Sequence, residues 1–400
     1  MDKENFGSTR GRFQEVSVEK GDADAFIPPD LPVELEPDME LLNLLDDARG
    51  NLGRLYSMSE DLDNSSLYYG PALIQEAVSS SRIEGTRTTM EKVFEKEIEL
   101  EEKEIDPEDR ELRDPEDAVA TLQDGIEYGL ERINVQPMNT ELIKKLHDKV
   151  FLGSDMKVGD FRDKQVWIGP EGAGIDQAQY IPPPPEKIES LLENLIEYVN
   201  DTESELPVIV KIALAHYQFE AIHPFDDGNG RIGRLLILLQ MCDEEIFEDE
   251  PLLTGPFINL SNYFLRNRQM YYHRLMQVSS NGEYLEWVKF FLKGVKKQSR
   301  HAIKTLQTVE SMRKDFKDAV DREGAPNITS EVVDELFRNP IITIPKVQEK
   351  FDVSYHTANK AIHTLENEGI LEEKTPKQRP KKFICKEVLD VVYSDFEWSI

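Results

Sequence analysis

At 400 residues the chain has room for two or three domains with buried cores, and its 39% apolar content with long periodic segments marks it as folded. No apolar run is long enough to span a bilayer, and the first residues lack a signal-peptide pattern. A net charge of -31 argues against broad attraction to nucleic acid or anionic membrane, and the well-separated Cys242 and Cys385 are expected as buried free thiols in a reducing cytoplasm, not as a zinc site.

Taken in order, residues 1–30 read as a flexible arm that ends in Ile27-Pro-Pro-Asp-Leu-Pro, which favours extended backbone. Leu41, Leu44, Leu45, Ala48 and Leu52 then recur at helical spacing. Gly70-Pro71 reads as a helix start, and that helix stops at Gly85, a fitting cap, with Ser80 and Glu84 four apart on one face. Residues 91–117 are strongly acidic, with Pro107 and Pro115 as breaks, and read as a solvated helix and loop. Helices are expected at about 116–131 and 139–151. Val158-Gly-Asp-Phe-Arg-Asp-Lys-Gln-Val-Trp-Ile-Gly169 changes period, and its β-favouring Val166, Trp167 and Ile168, closed by Gly169, predict a short β-hairpin. A stiff proline connector at 180–185 leads to helices at about 185–200 and 206–221.

Between two apolar helical patterns lies His223-Pro-Phe-Asp-Asp-Gly-Asn-Gly-Arg-Ile-Gly-Arg234. A glycine-rich turn at a helix start presents backbone N–H groups and the positive end of the helix dipole, and Arg231 and Arg234 fall on one helix face. Such a turn is shaped for an anion, with polyphosphate the best fit. Helices at 259–278 and 283–320 follow, then a linker at 321–327.

The C-terminal 75 residues carry 10 basic and 13 acidic side chains, far less acidic than the rest, which marks a separate domain. Its pattern is helix 329–338, an extended piece at 341–344, helix 345–351, a turn at 352–354, a helix at 355–369 and two strand-like pieces around a Pro/Lys tip. This resembles a winged helix-turn-helix, with Ser354 capping a recognition helix. Lys377, Arg379, Lys381 and Lys382 on the wing are candidate DNA contacts, balanced by a protein-contact role for the same module.

HPFDDGNGRIGR resembles the signature of the Fic (Fic/Doc) family of protein adenylyltransferases, HPF-x-D/E-GNGR-xx-R, with every fixed position present. SSSRIEG resembles the family's inhibitory-helix motif, and GDFRDKQVWIG is similar to its target-aligning flap. The resemblance implies transfer of AMP from ATP to a protein hydroxyl. It implies His223 as general base, Asp227 as the Mg²⁺ ligand, and Gly228, Asn229, Gly230, Arg231 and Arg234 as phosphate binders. In this scheme the Asn229 side chain holds the α-phosphate and Arg234 the γ-phosphate. Tyr271 and Tyr272 are similar to a stretch bordering the adenine pocket. Glu84, with Ser80 and Gly85, would compete for Arg234 and switch the site off. Val166 to Gly169 would align the target. Glycine at 230, where a phosphorylating subgroup has lysine, favours AMP transfer.

The expected fold is therefore mainly α, a Fic-type helical core with a β-hairpin flap plus a small winged-helix (α/β) domain. The boundaries are an arm at 1–30, a helical region at 31–135 with the inhibitory helix at about 70–85, a catalytic core at 136–321 and the module at 328–400. ATP and Mg²⁺ are the expected co-substrate and cofactor. The expected partner is a protein bearing a Tyr, Thr or Ser hydroxyl, with the chain itself and a dimer among the options. Two alternatives stand: a DNA-binding regulator that uses the core as a nucleotide sensor, and removal of AMP by the same site.

Overall fold

The N-terminal segment forms an antiparallel ribbon, β1 (Arg12–Val18) and β2 (Gly21–Ile27), with Arg12 opposite Ile27 and Val18 opposite Gly21. The computed structural model describes residues 11–18, 21–60, 66–102, 114–154, 157–170, 172, 174–243, 252–253, 255–322, 326–374 and 380–393. The expected arm is thus corrected over 11–18 and 21–27. Val16, Ala25 and Phe26 are buried, and the Phe26 N–H donates to the Ile181 carbonyl at 2.8 Å. Residues 1–10 of that arm lie outside the described residues.

The rest is mainly α. The helices that follow are α1 (Met39–Glu60), α2 (Ser66–Ile83), α3 (Met90–Glu102), α4 (Pro115–Ile133), α5 (Thr140–Val150), α6 (Ile188–Asn200), α7 (Val208–Ile222), α8 (Asn229–Cys242), α9 (Leu260–Arg266), α10 (Arg268–Asn281) and α11 (Tyr284–Arg322). Several of their starts carry side-chain caps. Asp114 and Asp117 form a reciprocal capping box on α4, and the Asn139 side chain accepts the Leu142 N–H at the start of α5. The antiparallel pair α7 and α8 sits at the centre, buried on nearly every side, with α4, α5 and α6 around it. Such all-round apolar helices belong in a core. Outside them α1 lies along α11, which at 39 residues runs about 58 Å.

Three expected boundaries change. Pro71 lies inside α2 and does not open it. The expected helix at 259–278 is two helices, because Asn267 leaves helical geometry and its side-chain amide donates to the Tyr263 carbonyl at 2.8 Å. No β-hairpin forms at 158–169. Only Ile168 pairs, through a bridge to Tyr180, and the chain beyond is Pro182 to Pro185, which has no N–H groups to continue a ladder. Pro107 of the acidic segment falls outside the described residues.

The C-terminal module comprises α12 (Ile328–Arg338), β3 (Ile341–Thr343), α13 (Ile344–Lys350), α14 (Tyr355–Asn367), β4 (Glu372–Glu373), β5 (Lys382–Ile384) and α15 (Lys386–Tyr393), with sheet order β3-β5-β4. Ser354 caps α14 as expected, accepting the Thr357 N–H at 3.2 Å, whereas α15 was not foreseen. The module does not stand apart. Helix α12 packs on α2 and α11, Asp334 joins Arg313 and Lys317 of α11 at 2.7 Å each, and the Gln75 amide of α2 donates to the Val392 carbonyl. One contiguous apolar core runs through both parts. Among the described residues, no helix is long and apolar enough to cross a membrane.

Candidate active site

The central loop joins the C-terminus of α7 to the N-terminus of α8, and its shape is set by two left-handed residues. His223 (φ 53°) ends α7 with its N–H on the Phe219 carbonyl, and Gly228 (φ 80°) starts α8. A non-glycine residue in this region needs support from its surroundings. A Cβ on Gly228 would meet the Phe151 ring, so the position needs glycine for space as well as conformation.

That support comes from side chains on three sides. The Asn229 amide accepts the Phe225 N–H at 2.8 Å and donates to the Phe225 carbonyl at 2.9 Å. His147 of α5 stacks on Phe225 at 3.9 Å between centroids, accepts the Gly159 N–H at Nδ1 and so donates from Nε2 to the Asp227 carbonyl at 3.1 Å. Arg162, 2% exposed, donates to the His223 carbonyl at 2.8 Å. The Asn229 side chain, expected to hold a phosphate, is 1% exposed and braces the loop through both its oxygen and its nitrogen, and its backbone N–H lies at the start of α8.

The first intrahelical bond of α8 is Ile232 N–H to the Gly228 carbonyl at 3.1 Å, so the N–H groups of Asn229, Gly230 and Arg231 precede it and point off the helix end. The Arg231 guanidinium lies 4.0 Å over the Phe151 ring, and its Nε is buried without a partner among the described residues. Asp227 is exposed, with Oδ1 accepting the Gly228 N–H at 2.6 Å. One open carboxylate beside a row of N–H groups at a helix start has the chemistry that suits Mg²⁺, which keeps waters and phosphate oxygens and needs few protein ligands. Among the described residues no group of three or more His, Cys, Asp and Glu could hold a metal by itself. Burial and the nearby Arg162 charge pull the His223 imidazole down to about 4, against the smaller upward pull of Glu84 and Asp227, so it is neutral at physiological pH.

Arg234, 2% exposed, is held by α2. Its Nε donates to Ser80 Oγ at 2.9 Å, and one terminal nitrogen donates to the Ser80 carbonyl at 3.1 Å and to Glu84 Oε1 at 2.7 Å. The Glu84 side chain keeps 34% exposure. Burial pushes its carboxyl up, but the Arg234 charge and hydrogen bond outweigh that and hold it below the usual range. Gly85 (φ 97°) ends the helix as expected, its N–H on the Arg82 carbonyl. A Cβ on Gly230 would meet the Glu84 carboxylate and, at 2.8 Å, Arg234, so this glycine lets the pair sit against α8.

Of the other expected residues, Tyr272 is 42% exposed with Arg268 over its ring at 5.5 Å, and Glu84 and Arg234 both act on its hydroxyl. Tyr271 is corrected to a core residue: it is 1% exposed, bonded to His216 Nε2 at 2.8 Å and stacked on Phe264. Ile168 is 40% exposed at its bridge, Val166 and Trp167 are half-buried, and Trp167 packs on the N-terminal ribbon. On the wing, Lys377 and Arg379 lie outside the described residues. Lys381 pairs with Glu373 at 2.8 Å, and Lys374 pairs with Glu91 and Glu95 of α3 at 2.5 Å, so much of the basic character is neutralised within the chain. Lys382 lies in β5, half-buried. Sequence reasoning missed Arg162, His147 and Glu220. Glu220 Oε1 is buried without a hydrogen-bond partner among the described residues, with His216 Nε2 at 3.9 Å, and burial pushes that carboxyl up to about 7.

Residues 137–241 match the Fic/DOC family model, and residues 42–127 match the Fic/DOC family N-terminal model. Over 102 residues the chain is 35% identical to protein adenylyltransferase fic-1 of Caenorhabditis elegans, covering 25% of this chain and 18% of that protein. It is 29% identical over 128 residues to a probable protein adenylyltransferase of Aquifex aeolicus, covering 32% of this chain and 35% of that one. These matches thus span well under half of the relatives' length. A solved Fic family protein from Desulfovibrio desulfuricans G20 shares the fold, with a TM-score of 0.55 at 16% identity over 89% of this chain and 98% of that one.

Proposed function

The chain belongs to the Fic/DOC family, and from that premise we propose that it is an autoinhibited protein adenylyltransferase. The observation that carries this reading is a neutral imidazole, His223, on the same loop as Asp227, the open N–H groups of α8 and two arginines. In the reaction His223 takes the proton of a Tyr, Thr or Ser hydroxyl. The hydroxyl oxygen bonds to the α-phosphorus of ATP, the bond to the β-phosphate oxygen breaks, and pyrophosphate leaves. Asp227 would hold Mg²⁺, which supplies charge neutralisation on the phosphates. The α8 N–H groups and Arg231 orient the phosphate chain, and Arg234 clamps its end.

Autoinhibition rests on Arg234 being occupied. With Glu84 and Ser80 on its guanidinium, the clamp for the terminal phosphate is taken by the chain itself. The segment Val166 to Gly169, where Ile168 is 40% exposed, is the stretch along which a target strand would align. Residues 328–393 fit a winged helix-turn-helix by element order and by the Ser354 cap, and the two buried free thiols suit a reducing compartment.

The test is mass spectrometry of the Glu84→Gly protein incubated with ATP and Mg²⁺ in lysate of its own cells. A gain of one AMP on a Tyr, Thr or Ser side chain, absent in the Glu84→Gly, His223→Ala protein, is the expected result. Label that persists without His223, or none at all with it, overturns the reading.

A further inference from the structure

We propose that Arg162 is the positioning residue of this site, a buried guanidinium that locks the flap segment and the His223 turn into one fixed arrangement. The inference rests on the adenylyltransfer reading above and adds a residue that reading does not use.

Arg162 is 2% exposed, and its four side-chain donations all go to backbone carbonyls. Nε donates to His223 at 2.8 Å. One terminal nitrogen donates to Lys164 at 3.1 Å, and the other donates to Pro183 at 2.6 Å and to Ile222 at 3.3 Å. Its own N–H donates to the Pro224 carbonyl at 2.9 Å. Three segments therefore meet on one residue: the strip leading into Ile168, the connector that follows Tyr180, and the catalytic turn.

Three of those four carbonyls have a reason to lack a regular partner. Ile222 and His223 end α7, where the last carbonyls face the negative end of the helix and favour a cation. Pro183 lies in a run whose neighbours cannot build a ladder. Among the described residues no carboxylate comes within ion-pair distance of Arg162. Asp226, Glu186 and Tyr180 act on it only from farther off, and burial draws the group down to about 10, which leaves it charged at neutral pH. A carbonyl cage, not a counter-ion, accommodates the charge. The planar fork reaches carbonyls on several sides at once, which a lysine ammonium on a single nitrogen cannot do.

The consequence is kinetic. His223 holds a left-handed backbone, and its ring direction follows from that backbone. Without Arg162 the turn and the flap can shift relative to each other, while the α8 N–H groups, Arg231 and Arg234, which bind nucleotide, stay where α8 puts them. Loss should therefore appear in transfer and not in ATP binding.

The experiment compares Arg162→Met and Arg162→Lys in the Glu84→Gly protein. ATP affinity is measured by equilibrium titration with Mg²⁺, and AMP transfer as the self-labelling rate at saturating ATP. Expected is ATP affinity within threefold of the parent for both variants, with transfer at least 100-fold slower for Arg162→Met and at least 10-fold slower for Arg162→Lys. Transfer within threefold of the parent in either folded variant overturns the proposal, as does a parallel loss of binding and transfer, which marks a purely structural role. If Arg162→Met does not fold, Arg162→Lys decides by the same criteria. An inactive Glu84→Gly parent would instead count against the adenylyltransfer reading itself.

Discussion

Glu84 and Arg234 are 150 residues apart in sequence, and their side chains meet at 2.7 Å at the start of α8. The pair joins the end of α2 to the helix whose N–H groups face the candidate phosphate site, and Ser80 completes it from one turn earlier. Replacing Glu84 by glycine removes the competing carboxylate but leaves both Ser80 bonds on the guanidinium, so the site should stay assembled. Self-labelling by ATP is expected to rise at least tenfold, since each tenfold corresponds to about 1.4 kcal/mol and one charge-assisted bond can supply it. Adding His223→Ala should return labelling to background. Equal labelling of wild type and Glu84→Gly would sink the inhibitory role.

The same residues predict a flat pH response. Arg234 holds the Glu84 carboxyl below its ordinary range, so acidification from pH 8 to 6 should not release the inhibition. His223 is drawn down to about 4 by burial and Arg162, so as a base it stays unprotonated across that interval. The ratio of Glu84→Gly to wild-type labelling should not change between pH 6 and 8. In a profile of kcat/KM, which reports the free enzyme, the acid limb of Glu84→Gly should lie at or below about pH 4, since the upward pull of Glu84 on His223 is gone. An acid limb at 6 to 7 would show an imidazole far more solvated than the one in this turn.

Much of the site was legible because its chemistry is local. Twelve consecutive residues carry the candidate base, the carboxylate, the turn glycines and both arginines, and Ser80 and Glu84 share a helix face by spacing alone. Arg162 was illegible for the opposite reason: its acceptors lie between 2 and 61 residues away and are all backbone, so no partner residue type announces it. The flap misled because Val166, Trp167 and Ile168 have strand propensity, whereas pairing depends on what lies opposite, and prolines lie there. The N-terminal ribbon was missed because prolines after Ile27 outweighed the short alternation of Val16 and Val18 before them. Docking of the C-terminal module on α2 has no sequence signal, since charge balance reports a boundary and not a contact.

Gly228 is expected to tolerate no side chain. Its φ of 80° is strained for alanine, and a Cβ there meets the Phe151 ring, which also supports Arg231. Gly228→Ala should cost about 1–3 kcal/mol of stability from backbone strain. In the Glu84→Gly background it should also weaken ATP binding, because the α8 N–H groups and Arg231 shift together. Denaturant titration and ATP titration check the two effects. An unchanged ATP affinity would mean that the α8 N-terminus is not where the phosphates sit.

Glu76 sits two turns before Glu84 on α2, 4% exposed, with its carboxylate accepting the Ser261 N–H and hydroxyl. Burial raises this carboxyl to about 7 and outweighs the Ser261 bonds and the Arg234 charge, which pull it down. A carboxyl raised on folding contributes its full stability below its ordinary value of 4.5, and that contribution is lost as pH climbs through 7. Glutamine does not titrate. Its carbonyl can accept the Ser261 N–H, and its amide can donate to the rotated hydroxyl, so the site remains satisfied. Glu76→Gln should thus match wild type near pH 5 and exceed it above pH 7, by up to about 3 kcal/mol on the scale of 1.36 kcal/mol per pKa unit. Unfolding at pH 5 and at pH 8 reads the difference directly. A stability gap between the two proteins that is the same at both pH values would mean that Glu76 is ionised throughout, held by Arg234 and not governed by burial.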